Sequence, residues 1–194
     1  MRGSRTPVPI MQKIKSLEHI LFPMKGSMKT KYPIDRFVGS LEDPATIPAK
    51  IAGGIRMTVE EFSSRCGNLD EATASQKPQP DKWSRNEILG HLIDSASNNH
   101  QRFVRAQYSK DMNFLPYEQM MWVNIQKYNS RAWKELLILW KSYNFHIAHI
   151  IENMPVDCLQ ISCKIGTGEP MTLGYIVVDY LGHIQHHLRQ IEQM

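Results

Sequence analysis

A chain of 194 residues with 42% hydrophobic and 22% charged content suits one domain with a sizeable core. No apolar run approaches the ~18–20 residues needed to span a bilayer, and three cysteines (Cys66, Cys158, Cys163) with no CxxC pair exclude zinc-ribbon, thioredoxin and c-type haem classes and suit a reducing, cytoplasmic setting. The formal charge of +4 gathers in residues 1–31, where Arg2, Arg5, Lys13, Lys15, Lys25, Lys29 and Lys31 face Glu18 alone, so the nearly neutral body gives no reason to expect nucleic-acid binding.

Residues 1–27 read as a leader or non-native extension. Met1-Arg2-Gly3-Ser4 looks like a vector-derived start, Met28 is a natural first residue, and no compact apolar signal region is present. The domain is therefore expected over 28–194. Lys31 to Phe37 reads as extended, because Pro33 disfavours helix at Tyr32. Pro48 suits the first turn of a helix whose stripe is Ile51, Ile55, Val59, Phe62 and Cys66. Residues 67–82 read as a polar loop.

Ser84 with Glu87 three residues on is a capping box, and it opens a second helix. Ile88, Leu89, Leu92, Ala96 and Phe103 form that helix's apolar stripe. A second face, His91, Ser95, Asn98 and Arg102, is wholly polar. It carries small hydrogen-bonding groups rather than the Lys and Glu of a solvated face, so it reads as a pocket wall. A short extra helix follows Pro116-Tyr117-Glu118 and runs through Trp122. The third long helix is predicted after an Asn129 or Ser130 cap, with Trp133, Leu136, Leu137, Trp140, Ile147, Ile150 and Ile151 inward and Pro155 as its stop. His146 and His149 near its end are favoured there by the helix dipole and need no metal. Leu159 to Ile165 alternates and could pair as a small ribbon, and Gly166-Thr167-Gly168 lacks the context of a phosphate loop.

Thr172 caps the last helix, whose stripe is Leu173, Ile176, Val177, Tyr180, Ile184, Leu188 and Ile191. Four long amphipathic helices argue an all-α four-helix bundle. His183 and His187, four residues apart, stack on one face of the last helix within reach of a single ion, whereas His186 points about 100° away. A carboxylate-bridged di-iron site would need Glu-x-x-His, which is absent, and a zincin would need glutamate where Ile184 stands. What remains is a mononuclear site of His183 and His187 with one further histidine, and His91 on the polar face is the best third ligand.

Gly90-His91-Leu92-Ile93-Asp94-Ser95, with Arg102 farther on, resembles the first-histidine motif of the DinB-like superfamily, and His183-Ile184-Gln185-His186-His187-Leu188 resembles its terminal His-x-x-x-His motif. Tyr32 to Phe37, Trp83-Ser84, and Pro116-Tyr117-Glu118 with Trp122 fall in the order of the YfiT-type branch of metal-dependent hydrolases and bacillithiol transferases. The resemblance implies an up-down-down-up bundle, a homodimer, and one divalent ion, zinc or nickel, on His91, His183 and His187. It implies a small-molecule substrate and, in some relatives, a low-molecular-weight thiol cosubstrate. The expected activity is thiol transfer to an electrophile. Metal-dependent hydrolysis by activated water and a non-catalytic, stress-associated metal-binding bundle are the alternatives. Arg102, Asn98 and Ser95 are expected to meet substrate, and Asp94 to support a ligand histidine. No catalytic residue is expected beyond the metal site.

Overall fold

The computed structural model describes residues 41, 43–109 and 112–194. The leader expected over 1–27 and the extended Lys31 to Phe37 lie outside the described residues. Six helices and three short strands follow: α1 (Ile47–Cys66), α2 (Glu71–Ser75), α3 (Arg85–Arg105), β1 (Asn113–Phe114), α4 (Gln119–Gln126), α5 (Trp133–Glu152), β2 (Ser162–Ile165), β3 (Met171–Thr172) and α6 (Leu173–Glu192). No helix among the described residues is long and apolar enough to cross a membrane.

The four long helices form a bundle whose directions can be read from its side-chain pairs. Arg56 bridges Glu152, Glu60 meets Lys141, and Phe62 packs edge-on to Trp133, so α1 and α5 run antiparallel. Gln185 donates to Thr58 and Arg65 bridges Glu192, so α1 and α6 run parallel. Arg85 reaches the Ile191 carbonyl while Phe103 meets Tyr180, which sets α3 antiparallel to α6. Asn86 donates to the Arg131 carbonyl and His100 meets Tyr143, which sets α3 parallel to α5. The order is up-down-down-up, with α1 diagonal to α3 and α5 diagonal to α6. Each predicted apolar stripe faces the shared core, where Trp133, Trp140, Phe62 and Phe103 are fully buried.

Three expectations need correction. Residues 67–82 are not all loop: the Asp70 carboxylate accepts from the Thr73 N–H at 2.9 Å and starts α2, which buries Ala74. The third long helix does not begin on Asn129 or Ser130, which belong to a 3-10 turn over Tyr128–Ser130. Its first N–H, on Trp133, donates instead to the Glu71 carboxylate of α2 at 2.9 Å, so a distant residue supplies the cap. The ribbon is shorter than Leu159 to Ile165, because Val156–Gln160 is 3-10 helix and only Ser162–Ile165 is strand. β2 pairs parallel to β1 and antiparallel to β3. Gly166, at φ +59°, turns the chain against Pro116, where a Cβ would stand 3.1 Å from the proline Cγ.

The capping box at α3 is present as read. Ser84 Oγ accepts from the Glu87 N–H, and the Glu87 carboxylate accepts from the Ser84 N–H at 2.8 Å. Ser84 is fully buried and its hydroxyl also donates to Asn129. Ser84→Ala is expected to cost about 1–2 kcal/mol in thermal or urea unfolding, the upper range for a lost cap.

Candidate metal centre and adjoining cavity

Two devices on α3 place His91. The capping box fixes where the helix starts and so its angular register. Gly90 then lets the Tyr128 ring lie directly on the helix: a Cβ at Gly90 would fall 2.1 Å from two ring carbons. Tyr128 in that seat donates its hydroxyl to Asp94 Oδ1 at 2.7 Å, and Gln126 Nε2 donates to the same oxygen at 2.7 Å. Burial raises the Asp94 carboxyl and the Tyr128 phenol above their ordinary pKa ranges. Asp94, expected to support a ligand histidine, thus hydrogen-bonds to Tyr128 and Gln126, and its second oxygen is buried without a hydrogen-bond partner.

The antiparallel crossing of α3 and α6 brings His91, His183 and His187 together. One ring nitrogen from each lies within 4.8 Å of the others. His91 Nε2 and His183 Nε2 are 3.2 Å apart. Two nitrogens on one ion at about 2.0–2.1 Å are roughly 2.9–3.4 Å apart for octahedral to tetrahedral angles, so this pair already has chelating separation. The three rings pack edge-on, with centroids 5.2, 4.8 and 4.5 Å apart. His91 is 1% exposed, and burial, followed by the nearby His187, pushes its pKa down to about 4. The ring is therefore neutral at physiological pH, the state in which imidazole binds a metal.

The outer nitrogens of two rings are held in the orientation that a ligand histidine needs. Gln190 Oε1 accepts from His187 Nδ1 at 2.7 Å, while the Gln190 amide nitrogen faces His186 Nε2 at 3.3 Å. Ser95 Oγ lies 3.3 Å from His183 Nδ1. A donating Nδ1–H leaves Nε2 with its lone pair toward the centre. His91 Nδ1 is buried and has no hydrogen-bond partner. Three imidazoles that each bring one ring nitrogen into a group within 4.8 Å fit a divalent ion with open positions. His186 stays outside the group. His146 and His149 are exposed on α5; His149 meets Asn153, and His146 lies edge-on to His100 at 5.2 Å.

A cavity of about 350 Å³ adjoins the triad, lined by His183, Ser95 and Arg102 among others. Pro116 and Tyr117 close it from the segment before α4, Ile165 and Met171 from the ribbon, and Tyr175 and Asp179 from α6. Arg102 is 8% exposed, donates from Nη1 to Asn99 Oδ1 at 3.1 Å, and lies 5.9 Å from the Phe114 ring centroid. Burial lowers its pKa. Asn99 in turn donates to Ser95 Oγ at 3.3 Å. Asn98, singled out on the polar face, half-buries and donates to the Asp94 carbonyl, and the cavity wall is formed by Asn99. Sequence reading passed over Asn99, Gln190, Tyr175 and Asp179. A signal existed for each: Gln190 follows His187 by three, Asn99 follows Ser95 by four, and Tyr175, Asp179, His183 and His187 step by four along one helix face.

The family model described as the DinB superfamily matches residues 55–191. A "putative metal-dependent hydrolase" of Halalkalibacterium halodurans is 22% identical over 173 residues, covering 86% of this chain and 96% of that one. A protein of Bacillus licheniformis with the same description is 23% identical over 163 residues, covering 84% and 93%. The solved structure of YfiT from Bacillus subtilis, described as "a probable metal-dependent hydrolase with an unusual four-helix bundle topology", aligns with a TM-score of 0.71 at 16% identity over 90% of this chain and 95% of that one. That likeness is one of fold.

Proposed function

The chain belongs to the DinB superfamily, and from that premise we propose that it is a metal-dependent enzyme transferring a low-molecular-weight thiol to an electrophilic small molecule, with the ion held by His91, His183 and His187. The observation that carries the reading is the 3.2 Å approach of two imidazole Nε2 atoms beside a third histidine, adjoining a cavity of about 350 Å³. Without a cation between them, one of those two nitrogens must carry a proton to the other. A bound zinc or nickel ion supplies Lewis acidity that lowers the pKa of a thiol or a water beside it. The protein's own part is positional. Gln190 Oε1 holds His187 Nδ1 as a donor, and Ser95 Oγ lies against His183 Nδ1. Tyr117, Tyr175 and Met171 form part of the cavity wall.

Hydrolysis is the second reading, and one observation favours it. The Asp179 carboxylate lines the cavity one turn before His183, where it could take a proton from water as a general base. Turnover of an electrophile with a panel of thiols, and without any thiol, separates the two. Thiol transfer predicts product only when thiol is present, little effect of Asp179→Asn, and loss of activity with chelator. Thiol-independent turnover that Asp179→Asn abolishes would replace it with hydrolysis. Turnover indifferent to chelator would end both.

A further inference from the structure

Arg102 is a buried cation that enters no ion pair among the described residues. It is more than nine-tenths buried. A guanidinium carries five N–H donors, and here one hydrogen bond is made, to Asn99. The Phe114 ring lies 5.9 Å from its carbon, within reach of the guanidinium by cation–π attraction. A buried charge left uncompensated in this way costs the fold stability, so the cost needs a reason.

We propose that Arg102 is the receptor for an anionic group of the substrate, so that the cavity takes a small organic anion whose reacting atom lies toward His183. This rests on the reading that the cavity serves the histidine triad. The two ends are joined by a ladder of side chains on α3: Arg102 to Asn99 at 3.1 Å, Asn99 to Ser95 at 3.3 Å, Ser95 to His183 at 3.3 Å. Asn99 and Ser95 are one helical turn apart, roughly 6 Å along the axis, which sets the approximate separation of the anionic group and the reacting atom. A chain of succinate length spans it and acetate does not. A carboxylate and a phosphate both offer the paired acceptors that a guanidinium recognises.

Calorimetric titration of the full chain with succinate, its neutral diamide and inorganic phosphate tests the assignment, with metal content measured on the same samples. Succinate or phosphate binds and the diamide does not, and whichever anion is tighter identifies the head group. Arg102→Met weakens that binding tenfold or more. Arg102→Lys, which keeps the charge but loses the planar fork, falls between. His187→Ala removes a triad ring that does not line the cavity, and anion binding persists in it. Free Arg102→Met melts no lower than wild type, because a functional charge rather than a structural one has been removed. Equal anion affinity in wild type and both Arg102 variants overturns the proposal, as does loss of anion binding in His187→Ala. Should Arg102→Met not fold, the Lys variant carries the comparison alone. If metal loads normally and no anion binds, the anion receptor falls and the metal centre stands. If anion binds and no metal loads, the receptor stands and the metal centre falls.

Discussion

His183→Ala is expected to leave the chain folded and without its metal. His183 is the joint of the site: its Nε2 is 3.2 Å from that of His91, its Nδ1 is 3.3 Å from Ser95, and its ring lines the cavity. Removing an outer partner of a ligand histidine typically costs about 10–100-fold in metal affinity, and removing the ligand itself costs more. Protein prepared without a histidine tag should fall from about one ion per chain to almost none. The melting temperature gives an independent readout. An ion present at about a thousand times its dissociation constant stabilises the native state by roughly 4 kcal/mol, and that increment should vanish. The metal-free variant should melt no lower than metal-free wild type, since alanine favours a helix interior and the ring is only half-buried. Unchanged ion content in the variant would remove the metal centre assigned to these three histidines.

Gly90→Ala is the substitution with the largest expected effect on folding, and two principles oppose each other over its sign. Helix propensity alone predicts a gain of about 1 kcal/mol. Packing predicts the reverse. The new methyl would stand 2.1 Å from Tyr128 ring carbons, and neither the α3 backbone nor a ring buried on it can yield that distance. Tyr128 must leave its seat, which breaks the 2.7 Å bond to Asp94 and leaves a buried carboxyl short of a donor. Overpacking costs roughly 1–3 kcal/mol and a buried polar group left without its partner about 1–3. The net expectation is a loss of about 3 kcal/mol in urea unfolding. A weaker metal site should accompany it, since His91 is the next residue. A neutral or stabilising Gly90→Ala would mean that Tyr128 does not pack there.

The long helices and the grouping of the three histidines were legible because both are written in local periodicity. Apolar residues recurring every three or four positions marked the inward faces of α1, α3, α5 and α6, and all four stripes face the core, with Cys66 and Ile150 only half-buried at their edges. The capping box at Ser84 needs only four consecutive residues, and it is present. The His183–His187 pair follows from helical pitch, and His91 was reached by asking which other histidine sits on a polar helix face. The direction of each helix, by contrast, entered only through family resemblance. The cap on α5 was misplaced because its partner, Glu71, is 62 positions away.

By itself, then, the amino-acid order determined which side chains share a helix face, because 3.6 residues per turn leaves a neighbour three or four positions away no other place to go. That covers the core stripes, the two-histidine clip, and the polar face of His91, Ser95, Asn98 and Arg102. Only the tertiary structure decided what those faces meet. It crossed α3 against α6 so that His91 Nε2 stands 3.2 Å from His183 Nε2, turned Asp94 toward Tyr128 and Gln126, put Asn99 rather than Asn98 in the cavity wall, and left Arg102 buried outside every ion pair among the described residues. Each of these depends on contacts between segments far apart in the chain. Such contacts are set by how whole helix surfaces pack, and no short window of sequence contains them.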